Sequence, residues 1–527
     1  MLKQLALACT LAACAAPAAA QTAAQTAAPA PATRLLVFIT VDQLIPDYFT
    51  RWPGQLTGGL ARLYNGGAVF TNAHQDHAVT ETAPGHASTM SGRFPRSTGI
   101  VSNEFGVADP QTRLLGMNTA GASPFRFRGT TLFDWMRAKD ARTRALSVSA
   151  KDRGAILPIG RARQTVLWYA RNGTFTTSTW YGRTLPPWVA RFNARRLPQS
   201  YAGRAWTPLL SAAAYAEPDS VPVEAGGVNY TFPHVIPADP AAAASSLPLF
   251  PVMDQLTFGV AMEGVRAMAL GRGPATDLLA VSLSSTDAVG HRYGPHSREV
   301  HDQVVRLDRW LGAFLDSLYA VRDPRTVIVA LTADHGVTPY PELADPARAA
   351  AMHVSDRPIR AWVRTAAASW GVDSAAVHAE DGMLRLDAAA FARAGRDPRA
   401  FAREFVAVAR AVPGVLRADL FPAVAGADTA SDPIARRWSH MIPRDMPYHA
   451  VVTLRPGHVW GRGAYAQHGS PHDSDSHVPI IFFGAPFRPG KYGGFTRTVD
   501  IAPTLARVLG VTPTEPLDGR VLTDAIR

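Results

Sequence analysis

Five runs of this chain are rich in apolar and β-branched residues, the pattern of strands buried on both faces. They are 34–41, 143–150, 277–283, 325–331 and 477–484. Between them the period lengthens to that of an amphipathic helix. It is clearest over 299–319, where Val300, Val304, Leu307, Leu311, Phe314 and Leu318 recur at three- and four-residue spacing. A second such stretch covers 498–509. Buried strands alternating with amphipathic helices predict an α/β fold with a doubly wound, mostly parallel sheet. Ligands of such sheets bind outside the carboxyl ends of the strands. Four of the runs lead there into polar residues: Asp42-Gln-Leu, Lys151-Asp-Arg-Gly, Ser284-Ser-Thr-Asp287 and Asp334-His335-Gly336. Two stretches break the alternation. Residues of about 160–260 are rich in Trp, Tyr, Pro and Ala, and those of about 340–450 in Arg and Ala. Both read as insertions capping the catalytic face of one domain over 34–527.

With 527 residues, 47% hydrophobic and 18% charged, the chain has globular composition and enough length for a large core. The net charge of +11 is spread without a Lys/Arg block, so it favours anionic ligands without indicating a nucleic-acid partner. Residues 1–20 have the form of a signal peptide: Lys3, an apolar stretch from Leu5 to Ala13, and Ala18-Ala-Ala20 as a small-residue cleavage site. The apolar stretch is too short to span a bilayer. This predicts an exported, periplasmic or secreted protein with a disordered leader over 21–33. Leu11-Ala-Ala-Cys14 resembles a lipid-attachment site, but Cys14 comes early and the Ala-Ala-Ala site is good, so cleavage after Ala20 is preferred. Cys9 and Cys14 are the only cysteines. Cleavage after Ala20 leaves no thiol, which excludes disulfides and Cys-bound metals.

The run Thr80-Glu-Thr-Ala-Pro-Gly-His86 places Thr82 at a helix start. Pro in the first turn costs no hydrogen bond, and a helix N-terminus attracts anions such as phosphate. A hydroxyl there is a poor nucleophile until a metal or base activates it. Alone, Thr82 reads more readily as a plain N-cap. The chain does offer metal ligands. Asp287-Ala-Val-Gly-His291 sets a carboxylate and an imidazole one helical turn apart, and Asp334-His335 and Asp42 follow strands. Such a donor set suits zinc. One more ligand is needed for a second site, and His468, His472 and His477 are candidates.

These motifs, in this order, resemble the alkaline phosphatase superfamily, nearest its bacterial threonine-nucleophile alkaline phosphatases and close to the nucleotide pyrophosphatase/phosphodiesterases. The likeness extends from Leu35 to the C-terminus. It implies two Zn2+ ions per chain, one held by Asp42, Thr82, Asp334 and His335, the other by Asp287, His291 and a late histidine. His468, in a His-Gly step, matches that histidine, with His477 as the alternative. The resemblance makes Thr82 the nucleophile and Asn103 a donor to a phosphoryl oxygen. It matches Lys151 and Arg153 to the pair that marks the monoesterases. A phosphate monoester carries one more ionised oxygen than a diester, so two cations there favour it. A sulfatase would need Cys or Ser in place of Thr82. The expectation is an exported zinc alkaline phosphatase acting on small phosphate monoesters through a phosphothreonine. The competing readings are a phosphodiesterase on the same scaffold and a non-catalytic phosphate- or metal-binding protein.

Overall fold

Strand β1 (Leu35–Val41) is buried along its whole length at the middle of a ten-stranded sheet. The computed structural model describes residues 32–343, 351–425, 429–461 and 465–527. The signal peptide, most of the leader, and Cys14 lie outside the described residues. After β1 come β2 (Ala68–His74), β3 (Ala145–Ser149), β4 (Thr165–Ala170), β5 (Thr174–Thr176), β6 (Asp277–Leu283), β7 (Val327–Thr332), β8 (His477–Phe483), β9 (Gly490–Tyr492) and β10 (Thr496–Arg497). Their order across the sheet is β9-β2-β8-β7-β1-β6-β3-β4-β5, with β10 beside β2. Strands β7, β1, β6, β3 and β4 are mutually parallel. The sheet is thus mostly parallel, as the alternation predicts. β8 runs antiparallel to β7 and β2. The polar residues that precede it therefore lie at the edge where β7 and β2 end.

The period-two alternation of β1 supplies two cores. Leu35, Val37, Ile39 and Val41 belong to one and Leu36 and Phe38 to the other. The helices introduced next are α1 (Thr82–Ser91), α2 (Asp152–Ile156), α3 (Ser285–Tyr293), α4 (Arg298–Tyr319), α5 (Pro433–Met441) and α6 (Ile501–Leu509). α4 buries Val300, Val304, Leu307 and Leu311 against the first core. Its N-cap Ser297 accepts a hydrogen bond from the Val300 N–H. α1 and α6 cover the other face, through Ala83, Ala87, Met90, Ile501 and Leu505. Of the described residues, no helix is long and apolar enough to cross a membrane.

Within 160–260, β4 adds a parallel strand to the main sheet, one that the apolar pattern did not single out. The aromatic residues Trp168, Tyr169, Trp188 and Trp206 of this stretch are buried in the cores. Further along the chain stands a separate antiparallel sheet of Val377–Glu380, Met383–Leu386, Tyr448–Leu454 and Val415–Leu420, in that order. One set of its side chains packs with the helices Arg357–Ser369 and Pro398–Arg410. Met383, Tyr448 and Val451 pack instead with Ala78, Val79 and Val101, on either side of the Thr82 motif, and with Trp438 of α5.

Asp76, fully buried just after β2, holds α5 to the main sheet. Arg436 reaches its carboxylate at 3.0 and 3.1 Å, and Arg437, His440 and Arg497 lie within 3.6 Å. Burial disfavours the ionised form, yet His440 and Arg436 outweigh it and hold the carboxyl down at about 2. A group depressed in this way contributes stability above its unfolded value, and the contribution is lost as pH falls through its folded value. Asp76→Asn leaves buried cations uncompensated and is expected to cost about 3–5 kcal/mol near neutral pH. Thermal melting of both forms checks this, and the gap between them should shrink from pH 4 to pH 2.

Candidate active site

The carboxyl edge of the sheet gathers the predicted residues. Asp42 follows β1, and its N–H continues the sheet by donating to Leu283 O at 2.9 Å. Asp287 and His291 lie on one face of α3, which follows β6 directly. Asp334 and His335 follow β7, and Lys151 and Arg153 follow β3, at the start of α2. Asp42, Asp334 and His335 are inaccessible to solvent.

Two groups of donors are close enough to share an ion: Asp42, Asp334 and His335, and Asp287, His335 and His468. His335 belongs to both, because its Nε2 lies 3.3 Å from Asp42 and 3.7 Å from Asp334, while its ring stacks on His468 at 3.6 Å. His291 and His468 approach Nε2 to Nε2 at 3.1 Å, beside Asp287 at 3.2 and 3.6 Å. The Nδ1 of His291 meets Ala466 O at 2.6 Å, and that of His468 meets Thr80 O at 2.9 Å. A carbonyl only accepts, so both Nδ1 atoms donate, and in the neutral rings both Nε2 lone pairs face inward. Two facing lone pairs repel unless a proton or cation lies between them. Asp42 Oδ1, Asp334 Oδ2 and His335 Nε2 are buried without a hydrogen-bond partner among the described residues. These unpaired donors are carboxylate oxygens and imidazole nitrogens, and they fit zinc.

The other two late histidines turn elsewhere. His472 Nε2 meets Leu454 O at 2.8 Å, and His477 Nε2 meets Thr71 O at 2.9 Å while its ring stacks on His74.

Charge dominates the site. Lys151 Nζ bridges Asp42 Oδ2 and Asp287 Oδ2, each at 2.6 Å. Burial works against all three charges. Lys151 and His335 together nevertheless outweigh burial and the charge of Asp287 at Asp42, and Lys151 with His291 and His468 outweighs burial at Asp287, holding both carboxyls below their ordinary range. Asp334 has no such partner, and burial followed by the charge of Asp42 lifts it to about 7. For His335, burial is outweighed by Asp334 and Asp42, which carry the imidazole up to about 10. Arg153 lies 3.8 Å from Asp152, and its buried Nε has no hydrogen-bond partner among the described residues.

Thr82 is the first residue of α1 and is 1% exposed. The N-cap is Glu81, in extended backbone, so Thr82 does not serve as the cap. Pro84 falls in the first turn, and Gly85 is the first residue to bond back, to Glu81 O at 3.0 Å. Ala83 N donates to Asn103 Oδ1 at 3.0 Å, and Asn103 N donates to Glu81 Oε2 at 2.6 Å. His86, one turn beyond Thr82 on the same face, has Nε2 at 3.6 Å from Asp334 Oδ2. The motif needs Gly85 because a Cβ there would lie 2.2 Å from Asp334 O. Sequence reasoning missed Glu81, Gln43 and His86. Glu81 and His86 stood inside the quoted motif, whereas nothing in periodicity marks Gln43.

This fold and site define a hydrolase of the alkaline phosphatase superfamily. Residues 36–416 match the family model of type I phosphodiesterase / nucleotide pyrophosphatase, and the chain belongs to that family. Alkaline phosphatase PhoV of Synechococcus elongatus is 31% identical, over 94% of this chain and 93% of its own length. Alkaline phosphatase PhoK of Sphingomonas sp. is 32% identical, over 94% and 91%. A crystal structure of wild-type alkaline phosphatase PafA superposes with a TM-score of 0.88 at 26% identity, covering 94% of this chain and 99% of that one. Murine ectonucleotide pyrophosphatase/phosphodiesterase 5, at 14% identity and a TM-score of 0.52, shares the fold.

Gly85→Ala is expected to push α1 away from the β7 end, costing about 1–3 kcal/mol by overpacking and lowering hydrolytic activity with it. Thermal melting and steady-state turnover of the variant check the two effects together.

Proposed function

We propose that the protein is an exported, zinc-dependent alkaline phosphatase that hydrolyses phosphate monoesters through a phosphothreonine at Thr82. The single observation that carries this reading is the placement of Lys151 and Arg153 beside the two donor groups, on the edge where α1 presents Thr82. PhoV, PhoK and PafA, all alkaline phosphatases by name, support it. Asp42, Asp334 and His335 with Thr82 would hold one zinc, and Asp287, His291 and His468 the other. When bound, such ions lower the pKa of a hydroxyl and offset charge on reacting oxygens.

The chain's own residues then do the following. Thr82 Oγ1 loses its proton and attacks phosphorus in line, forming a P–O bond as the ester P–O bond breaks and the alcohol leaves. The first turn of α1 supplies positive potential to the phosphoryl group. Asn103, held by Glu81 and Ala83, along with Lys151 and Arg153, would grip the non-bridging oxygens, where charge lies in the transition state. Water then attacks the phosphothreonine, and inorganic phosphate leaves as Thr82 is restored. The N-terminal signal-like segment supports export.

The second reading is a phosphodiesterase, favoured by the family that the chain matches. The ratio of kcat/KM for an aryl monoester and its matching diester decides between them. A monoester preference is expected. Thr82→Ala should abolish turnover, and Lys151→Ala or Arg153→Ala should each lower monoester kcat/KM about 10–100-fold, as loss of a charge-assisted bond would, with a smaller effect on the diester. A diester preference in the wild type would overturn the proposal.

Metal binding carries a second test. His335 sits in a field that favours its protonated form, and a ligand imidazole must be neutral. Zinc binding at pH 8 is therefore expected to release about one proton or more, read by calorimetry in buffers of different ionisation heat. Zinc affinity should fall as pH falls.

A further inference from the structure

Gln43 touches both donor groups. Its backbone N–H donates to Asp334 Oδ1 at 3.2 Å, and its side-chain Nε2 donates to Asp287 Oδ1 at 2.9 Å. A carboxylate only accepts, so the amide must face Asp287 through its nitrogen. That leaves Gln43 Oε1 buried with no hydrogen-bond partner among the described residues. The oxygen lies against Gly290, where a Cβ would stand 1.8 Å from it. Gln43 also has a φ of 65°, in a turn closed by Leu44 N and Val41 O at 3.2 Å. Glycine or asparagine is the usual residue for such backbone. A strained backbone and an unsatisfied oxygen are kept at a position where glycine would relieve both. The side chain is therefore retained for what its nitrogen does.

Resting on the two-zinc reading above, we propose that Gln43 is a positioning residue that aims the two carboxylates and so couples the two metal sites. Its nitrogen keeps Asp287 Oδ1 toward His291 and His468 and leaves Oδ2 to Lys151. Its N–H keeps Asp334 Oδ1 occupied and leaves Oδ2 free for an ion. Gly290, between the paired ligands of Asp287-Ala-Val-Gly-His291, keeps the space that the amide fills.

The test uses the full chain in five forms: wild type, Gln43→Gly, Gln43→Asn, Gly290→Ala and the double variant of Gln43→Gly with Gly290→Ala. Zinc per chain is measured by mass spectrometry after dialysis against buffered free zinc, and melting temperature is measured on zinc-free protein. The wild type should hold two ions. Gln43→Gly keeps the backbone link to Asp334 and loses the link to Asp287. It should bind one of the two ions about 10–100-fold more weakly, the usual effect of removing a group that orients a ligand. Its zinc-free melting temperature should stay level or rise, which a purely structural role would not allow. Gly290→Ala should weaken the same site, yet add nothing in the Gln43→Gly background, where the oxygen it strikes is gone. Gln43→Asn, which tolerates the backbone but is one methylene short, should weaken the site as Gln43→Gly does. Two tightly bound zinc ions in Gln43→Gly would overturn the inference, as would an equal Gly290→Ala penalty in both backgrounds. A wild type that fails to bind two ions overturns the reading beneath it as well, and shows this before any variant is measured.

Discussion

Three carboxylates, Asp42, Asp287 and Asp334, are buried within one another's electrostatic reach at the carboxyl edge of the sheet. Ionised groups leave water at a cost of several kcal/mol each unless they are paired. Lys151 pairs with two of them, and His335 stands between Asp42 and Asp334. That leaves Asp42 Oδ1, Asp334 Oδ2 and one imidazole nitrogen without hydrogen-bond partners among the described residues, in a site otherwise dense with hydrogen bonds. The arrangement is costly as a set of side chains and economical as a receptacle for cations. Parallel β topology makes it possible, since adjacent strands end side by side and deliver acids from distant parts of the chain to one line.

Helix α1 is placed by the same edge. Gly85 allows its first turn to approach the backbone of Asp334, and His86 faces the Asp334 carboxylate one turn later. Glu81 and Asn103 bind the helix start to the following loop. The smaller antiparallel sheet closes around these segments through Met383, Tyr448 and Val451, and Asp76 secures α5 beside them. If Thr82 is the nucleophile, as proposed, its support must be rigid to a fraction of an ångström. Here the support is shared among the main sheet, the loop after α1 and the smaller sheet, so the parts of the molecule outside the sheet bear on chemistry that they do not touch.

On the proposed reading, discrimination between monoester and diester would rest on Lys151 and Arg153. Lys151 already satisfies two carboxylates, whereas Arg153 keeps a buried Nε without a hydrogen-bond partner among the described residues. The two cations are therefore not equivalent. Lys151 sets the charge of Asp42 and Asp287, and on the proposed reading the planar, multidentate guanidinium of Arg153 would be the better shaped of the two for phosphoryl oxygens.

The sequence by itself determined the doubly wound sheet, because burial on two faces writes a continuous apolar run and burial on one face of a helix writes a period near four. It also pointed to Asp42, Asp287, His291, Asp334 and His335, because residues just past buried strands must share one edge. Local pattern is blind to partners hundreds of residues away. It left β4 unmarked among aromatic residues, and it offered His468, His472 and His477 as equals. Only the antiparallel placement of β8 brings the loop before it over the site. There His468 is held by Thr80 O and faces His291, while His472 and His477 are taken up by the carbonyls of Leu454 and Thr71. Gln43 was invisible for the same reason. Its backbone is held by the β1 turn, but its meaning lies in Asp287 and Asp334, and which strands lie next to β1 is decided by the packing of the whole sheet.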